Sequence, residues 1–193
     1  MRKNIEDVRE QIVLGTIDEF NKRGPALRLD DVAKNLHISK KTIYKVFKSK
    51  EAIIAYIGES IIEEIAKEAD RIYHDPSIPM LRKIEEILSI DVRYEKLFDR
   101  KASIYHEKNY PHIAMYMERK SSLLSSYFEK LLLEAKKEGA VREEVPVRFV
   151  KNIYYTLSRS FFSGELAKDS ELTSEEARSF LTSIILNGTM KKN

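Results

Sequence analysis

The sequence predicts an all-α protein, and three observations carry that prediction. Between the five prolines, at positions 25, 76, 79, 111 and 146, apolar residues recur every three or four positions rather than alternating. That is the period of a helix with one buried face. Only 6 of 193 residues are glycine, and 34% are charged, a composition that tolerates long solvated helices. No repeat of fixed period, low-complexity tract or sustained heptad pattern points to a solenoid or a long coiled coil.

Taken in order, the spacing predicts a first helix over residues 5–22, with Ile5, Val8, Ile12, Thr16 and Phe20 on one face and a stop at Gly24-Pro25. A short helix from Leu29 to Leu36 follows, then a three-residue turn, then a second short helix from Lys40 to Phe47. This is the spacing of a helix-turn-helix. Val32, Leu36, Ile38, Ile43 and Val46 are apolar where two short helices share a buried side, and Ala33 is small where they cross. Ser39 is placed to cap the second helix, its oxygen accepting from the amide of Lys41 or Thr42.

Residues 51–73 carry Ile54, Ile57, Ile61, Ile65 and Ile72 at helical spacing, and the segment His-Asp-Pro-Ser-Ile-Pro then breaks the helix. Further helices are expected to start near Met80, Asp99, His112, Val147 and Ser174, for about nine in all. The longest is marked by Ile113, Met117, Leu124, Phe128, Leu131 and Ala135, with Gly139 as its stop. The chain therefore divides into a head, residues 1–50, and a larger helical body, residues 51–193.

Charge separates the same two parts. Residues 1–50 carry 12 Lys and Arg against 7 Asp and Glu, whereas residues 51–193 carry 22 against 24. The positive excess is local. Ser39 to Lys50 holds five lysines and no acid, whereas a solvated helix face usually mixes signs to gain i,i+4 pairs. A polyanion is the natural partner. Lys40, Lys41, Thr42, Tyr44, Lys45 and Lys48 point outward on the second short helix. Lysines supply phosphate and guanine contacts, and a threonine or tyrosine touches a thymine methyl or a phosphate in the major groove.

Other chemistries find little support. Cysteine is absent, which removes disulfides, thiolate metal sites and thiol catalysis. The four histidines, at 37, 74, 106 and 112, form no i,i+4 pair, and no metal site is expected. Neither a Gly-x-Ser-x-Gly elbow nor a Gly-rich phosphate loop occurs, so neither an enzyme nor a nucleotide cofactor is expected. No apolar leader follows Met1 and no run reaches bilayer length, so a cytoplasmic protein without membrane partners is expected.

Over residues 5–57 the chain resembles the TetR family of bacterial transcription regulators. The specific part is the run Thr42-x-Tyr44-x-x-Phe47-x-x-Lys50-Glu51. The resemblance implies that Thr42 and Tyr44 sit on the recognition helix, that Phe47 packs in the core of the head, and that Lys50 opens the fourth helix against a phosphate. Two residues depart from the family pattern. His37 occupies a turn position usually held by glycine, which places a bulky residue at or near positive φ. Arg28 stands where a capping Ser or Thr is usual, and is counted with Ser39 among the DNA contacts.

For the body the resemblance implies ligand binding and dimerisation, with the last two helices forming a four-helix bundle with a second subunit. The residues agree in being too apolar to leave in water: Val150, Tyr154, Leu157 and Phe161 on one helix, and Phe180, Leu181, Ile184 and Gly188 on the last. Burial inside a single chain is the alternative. The candidate pocket for a small-molecule effector is Tyr105, Tyr116, Tyr127, Tyr154 and Tyr155, whose phenol groups orient a ligand. The function implied is a homodimeric repressor on a palindromic double-stranded operator, released by that effector through a shift in conformer populations. The competing readings are a small-molecule-binding helical protein, or a protein-interaction module with a basic head that does not bind DNA.

Overall fold

A computed structural model describes residues 5–90, 97, 111–162, 172 and 174–191. Eight α-helices account for most of them: α1 (Ile5–Arg23), α2 (Leu29–Asn35), α3 (Lys40–Val46), α4 (Lys50–His74), α5 (Met80–Ser89), α6 (Pro111–Lys137), α7 (Val147–Phe162) and α8 (Ser174–Thr189). Among the described residues the only β-pairing is an isolated bridge between Val141 and Met190. The all-α class therefore holds, and each predicted helix among these residues begins within one position of its expected start. The helix expected near Asp99 lies outside the described residues, as do Tyr105 and the side chain of Phe161. No helix among them is long and apolar enough to cross a membrane.

The chain forms two compact units, residues 1–61 with 92–116, and residues 62–91 with 117–193. In the first, α2 and α3 pack on each other and on α1. Ile12, Val13 and Ile17 of α1, Val32 of α2, Ile43 of α3 and Ile53 of α4 are almost wholly buried at its centre. Phe20, Leu27 and Phe47 close around them. Ile5, expected on the inner face of α1, is instead 68% exposed, because the buried stretch begins only at Ile12, about two turns later. Val13 and Ile17 take its place, so α1 buries a broader arc than one stripe. Further along the same unit Gly58 allows the ring of Tyr116 to lie against α4, since a Cβ there would stand 2.3 Å from that ring. Tyr116 Oη then donates to the carbonyl of Ala55 at 3.1 Å.

In the second unit α8 packs on α5 and α7. The core is built from Ile65, Ala69 and Ile72 of α4, Ile84, Ile87 and Leu88 of α5, and Leu124, Phe128, Leu131 and Ala135 of α6. Between α4 and α5 the carboxylate of Asp75 accepts from both the amide and the hydroxyl of Ser77, which satisfies the backbone where Pro76 and Pro79 stop the helix. Those bonds, the hydroxyl first, hold the Asp75 carboxyl below its usual range.

Two helix ends share one device. At Gly139, with φ 77°, the amide of Gly139 donates to the carbonyl of Lys136 and that of Ala140 to Ala135. At the end of α2 the amide of His37 donates to Lys34 and that of Ile38 to Ala33, with His37 at φ 52°. Both are the left-handed C-terminal cap that normally selects glycine. The predicted strain at His37 is thus present, and it sits in the turn of the helix-turn-helix. A side chain in that conformation costs about 1–2 kcal/mol, while glycine adds about 0.5–1 kcal/mol of unfolded-state entropy. His37→Gly is therefore expected to stabilise the protein by about 0.5–1 kcal/mol, read as a raised denaturation midpoint; an unchanged or lowered midpoint would show that the imidazole makes a compensating contact.

Candidate nucleic-acid interface

The helix-turn-helix is held by its buried side. Ile43 is fully buried and Phe47 is 7% exposed, while Val46, Leu36 and Ile38 are partly buried against the same cluster. With one edge of α3 anchored, 100° per residue leaves the opposite edge in solvent. Lys40, Lys41, Tyr44 and Lys45 lie there, all exposed, and Tyr44 is 49% exposed despite its apolar ring; Lys48, expected on the same helix, follows the extended Phe47 that ends it and is exposed beyond α3. A tyrosine half in water on a seven-residue helix adds nothing to the core.

Capping fixes where α3 starts. Ser39 Oγ accepts from the amide of Thr42 at 3.1 Å and shares a hydrogen bond with the Thr42 hydroxyl at 2.8 Å. Thr42 is consequently half-buried and engaged at the cap, and Tyr44 and the lysines carry the outward face. Lys40 reaches back to α2, its ammonium 2.9 Å from the Asp30 carboxylate. The Asp30 hydrogen bond, ahead of every other influence, raises the Lys40 pKa above its usual value. Both groups are exposed, so the pair adds little stability, and it holds Lys40 toward α2.

Arg28 is the N-cap of α2, in extended conformation and without a side-chain hydrogen bond to the helix. Its own side chain is exposed. Lys50 opens α4 half-buried, its Nζ 3.4 Å from the carbonyl of Leu27. A further cation of the head escaped the sequence reading. The Arg9 guanidinium stacks 5.7 Å from the ring of Tyr56, which meets the edge of Phe47 at 5.5 Å. No local spacing couples positions 9 and 56, so only the packed unit shows this contact.

The tyrosines of the body do not share one place. Tyr116 is buried in the first unit with its hydroxyl on Ala55. In the second, Tyr127 Oη donates to Asp70 at 3.2 Å, and burial followed by that bond raises its pKa. Tyr155 donates to Glu118. Tyr154 is 5% exposed, stacks near Phe128 at 5.3 Å and lines a small cavity with Leu88, Ile90, Leu124 and the cations Lys120 and Arg178. The sequence reading passed over both cations, because lysine and arginine in amphipathic helices are ordinarily read as solvated.

The apolar residues of the last two helices also divide. On α7, Tyr154 is buried and Val150 and Leu157 half-buried, and it is Phe149, 61% exposed, that faces solvent. On α8, Leu181 is half-buried, whereas Phe180 and Ile184 are 58% and 69% exposed. Gly188 is exposed, with open space where a Cβ would stand. Among the described residues no group of three or more His, Asp or Glu side chains is placed to hold a metal ion.

Residues 12–57 match the sequence profile of the bacterial regulatory proteins of the tetR family. The chain is 21% identical over 183 residues to the HTH-type transcriptional regulator YvaF of Bacillus subtilis (strain 168), itself uncharacterised, covering 93% of this chain and 94% of that one. The crystal structure of a TetR/AcrR-family regulator from Thermobifida fusca is similar to it with a TM-score of 0.66 and 22% identity, over 94% of this chain and 98% of that one. A complex of SmeT with triclosan matches with a TM-score of 0.71 and 17% identity, over 97% and 93% respectively. The structural matches speak to the fold. The profile match covers the helix-turn-helix, so residues 12–57 carry the DNA-binding domain of the tetR-family regulators, and the rest of the chain shares the fold of the solved structures.

Proposed function

We propose that the protein is a ligand-released repressor that binds a palindromic operator as a homodimer, reading bases with the α3 face of Lys41, Tyr44 and Lys45. The observation that carries this is the division of α3 into a buried edge at Ile43 and a basic, tyrosine-bearing edge in water. Arg28, Lys48 and Lys50 flank that edge and serve as phosphate contacts. Thr42 and Ser39 set the register of the helix. Lys40 reaches DNA by exchanging Asp30 for a phosphate.

Dimerisation is supported by Phe149, Phe180 and Ile184, large apolar side chains left in solvent by a single chain. Two copies would set their recognition helices about 34–36 Å apart, one helical turn of duplex. Ligand release is supported by the cavity in the second unit and by the triclosan bound in the SmeT complex. Release requires that the ligand favour a conformer poor at DNA binding, by differential affinity.

Selection of bound duplexes from a random pool tests the proposal: enrichment of a palindrome supports it, and binding without sequence preference would refute it. A salt titration of the selected duplex adds a quantitative check. If Arg28, Lys48 and Lys50 each neutralise one phosphate on both heads, the log–log slope of affinity against salt is expected to be about −5, and Lys48→Ala is expected to reduce its magnitude by about 2. A slope unmoved by Lys48→Ala removes that residue from the interface.

A further inference from the structure

We infer that the bases read by α3 in each operator half-site are guanine and thymine: Lys41 and Lys45 each take the N7 and O6 edge of a guanine, and the Tyr44 ring takes a thymine methyl. This rests on the operator-binding reading above and names the sequence class of the DNA.

The face is defined first by what it lacks. The residues of α3, Lys-Lys-Thr-Ile-Tyr-Lys-Val, include no Asn, Gln, Asp, Glu or Arg. Thr42 is half-buried, and its hydroxyl is bonded to that of Ser39 at 2.8 Å. The polar groups of α2 are turned to other partners. Asp30 takes the ammonium of Lys40 at 2.9 Å, which draws Lys40 off the face, and Asp31 lies 3.7 Å from Arg23 of α1. Asn35, the one amide side chain of α2 and α3, donates to Asp18 of α1 at 2.8 Å. What remains outward on α3 is Lys41, Tyr44 and Lys45, at i, i+3 and i+4 and hence on one side of the helix. Neither ammonium has a hydrogen-bond or ion-pair partner among the described residues.

The balance of donors decides the bases. An ammonium carries three donors and no acceptor. In the major groove guanine shows two acceptors, N7 and O6, and thymine shows O4 beside its methyl, whereas adenine sets an N6 donor beside N7 and cytosine shows the N4 donor. An ammonium over adenine or cytosine therefore meets an amino group that it cannot bond, and over guanine it bonds twice. The Tyr44 ring, half in water, is the apolar surface of the face, and the thymine methyl is the apolar group of the groove. Spacing sets the size of the core. Lys41 and Lys45 stand about 6 Å apart along the helix axis, and base pairs stack about 3.4 Å apart. With α3 along the groove, the two guanines fall within about three base pairs of each other, on either strand, and the thymine falls among or beside them.

The test is selection of duplexes by the full chain, followed by base analogues at the enriched positions. The enriched half-site core is expected to hold two guanines and a thymine. At either guanine, 7-deazaguanine removes N7 and keeps the base pair, and is expected to weaken binding about fivefold or more. Deoxyuridine in place of the thymidine removes the methyl and is expected to cost about threefold, a difference that Tyr44→Ala abolishes. Lys45→Gln is expected to move the preferred base at one guanine position to adenine, whose N7 and N6 match the donor and acceptor of the amide. A lysine serving only a phosphate or the fold would not exchange one base for another. The inference is overturned if 7-deazaguanine is silent at both guanines, or if Lys45→Gln leaves guanine preferred at both. A selected palindrome without guanine in its core also overturns it and leaves the operator reading standing. A guanine and thymine core selected without its inverted copy supports the inference and refutes the palindromic operator. Binding without sequence preference refutes both.

Discussion

Tyr44→Ala is expected to weaken operator binding by about 1–3 kcal/mol for each base the tyrosine reads, a factor of roughly 5 to 150, with no change in the denaturation midpoint. The asymmetry follows from position. Tyr44 is 49% exposed, so its removal opens no cavity. Phe47, three residues on, holds the aromatic place in the core instead. A gel-shift titration at fixed salt, paired with thermal denaturation, reads both quantities. Unchanged affinity would remove Tyr44 from the reading face, and a lowered midpoint would mean its ring packs more firmly than its exposure indicates. Affinity for unrelated duplexes should change little, because phosphate contacts do not depend on sequence.

The neighbouring residue gives the opposite result. Ile43→Ala is expected to destabilise the protein by about 2–5 kcal/mol, because the side chain is fully buried where α1, α2, α3 and α4 meet. That is a large share of a typical domain's stability of about 5–15 kcal/mol. DNA binding should fall only as the folded fraction falls, and should recover when the temperature is lowered toward the stability maximum. Ile43→Val, expected to cost about 0.5–1.5 kcal/mol, separates a change of volume from a change of shape. If Ile43→Ala kept the parent midpoint, α3 would not be anchored as described, and the outward direction of Tyr44 would lose its basis. Two adjacent residues therefore give opposite signatures, one in affinity and one in stability, because a helix turns 100° between them.

The helix-turn-helix was legible in the sequence because each of its signals is short-range. Ser39 caps the helix that follows it, Ile43 and Phe47 lie one turn apart, and the glycine-like turn at His37 is set by bonds to Lys34 and Ala33. Each signal spans no more than about five residues, little over one helical turn. Thr42 shows the limit even there: helical spacing put it on the outward face, whereas it is half-buried, and the bond to Ser39 that occupies its hydroxyl required the cap geometry.

The body was read less completely, for the same reason inverted. Helical periodicity located α6, α7 and α8 and found their apolar residues, but α7 carries apolar side chains on more than one side. Periodicity does not say that Tyr154 turns inward while Phe149 turns to water. Tyr116 looked like a pocket residue, and its partners Ala55 and Gly58 stand about sixty positions earlier. Lys120 looked like a solvated charge, and it is 5% exposed beside a cavity that residues of other helices also line.

From the amino-acid order alone came the helix boundaries, the turn, the cap and the basic edge of α3, since backbone hydrogen bonding and the 3.6-residue period act between near neighbours. Tertiary structure alone decided which side of α7 is covered, where the tyrosine hydroxyls find acceptors, and that Lys120 and Arg178 share a cavity. Burial is set by contacts between segments far apart in the chain, and no local pattern encodes which distant segment will arrive.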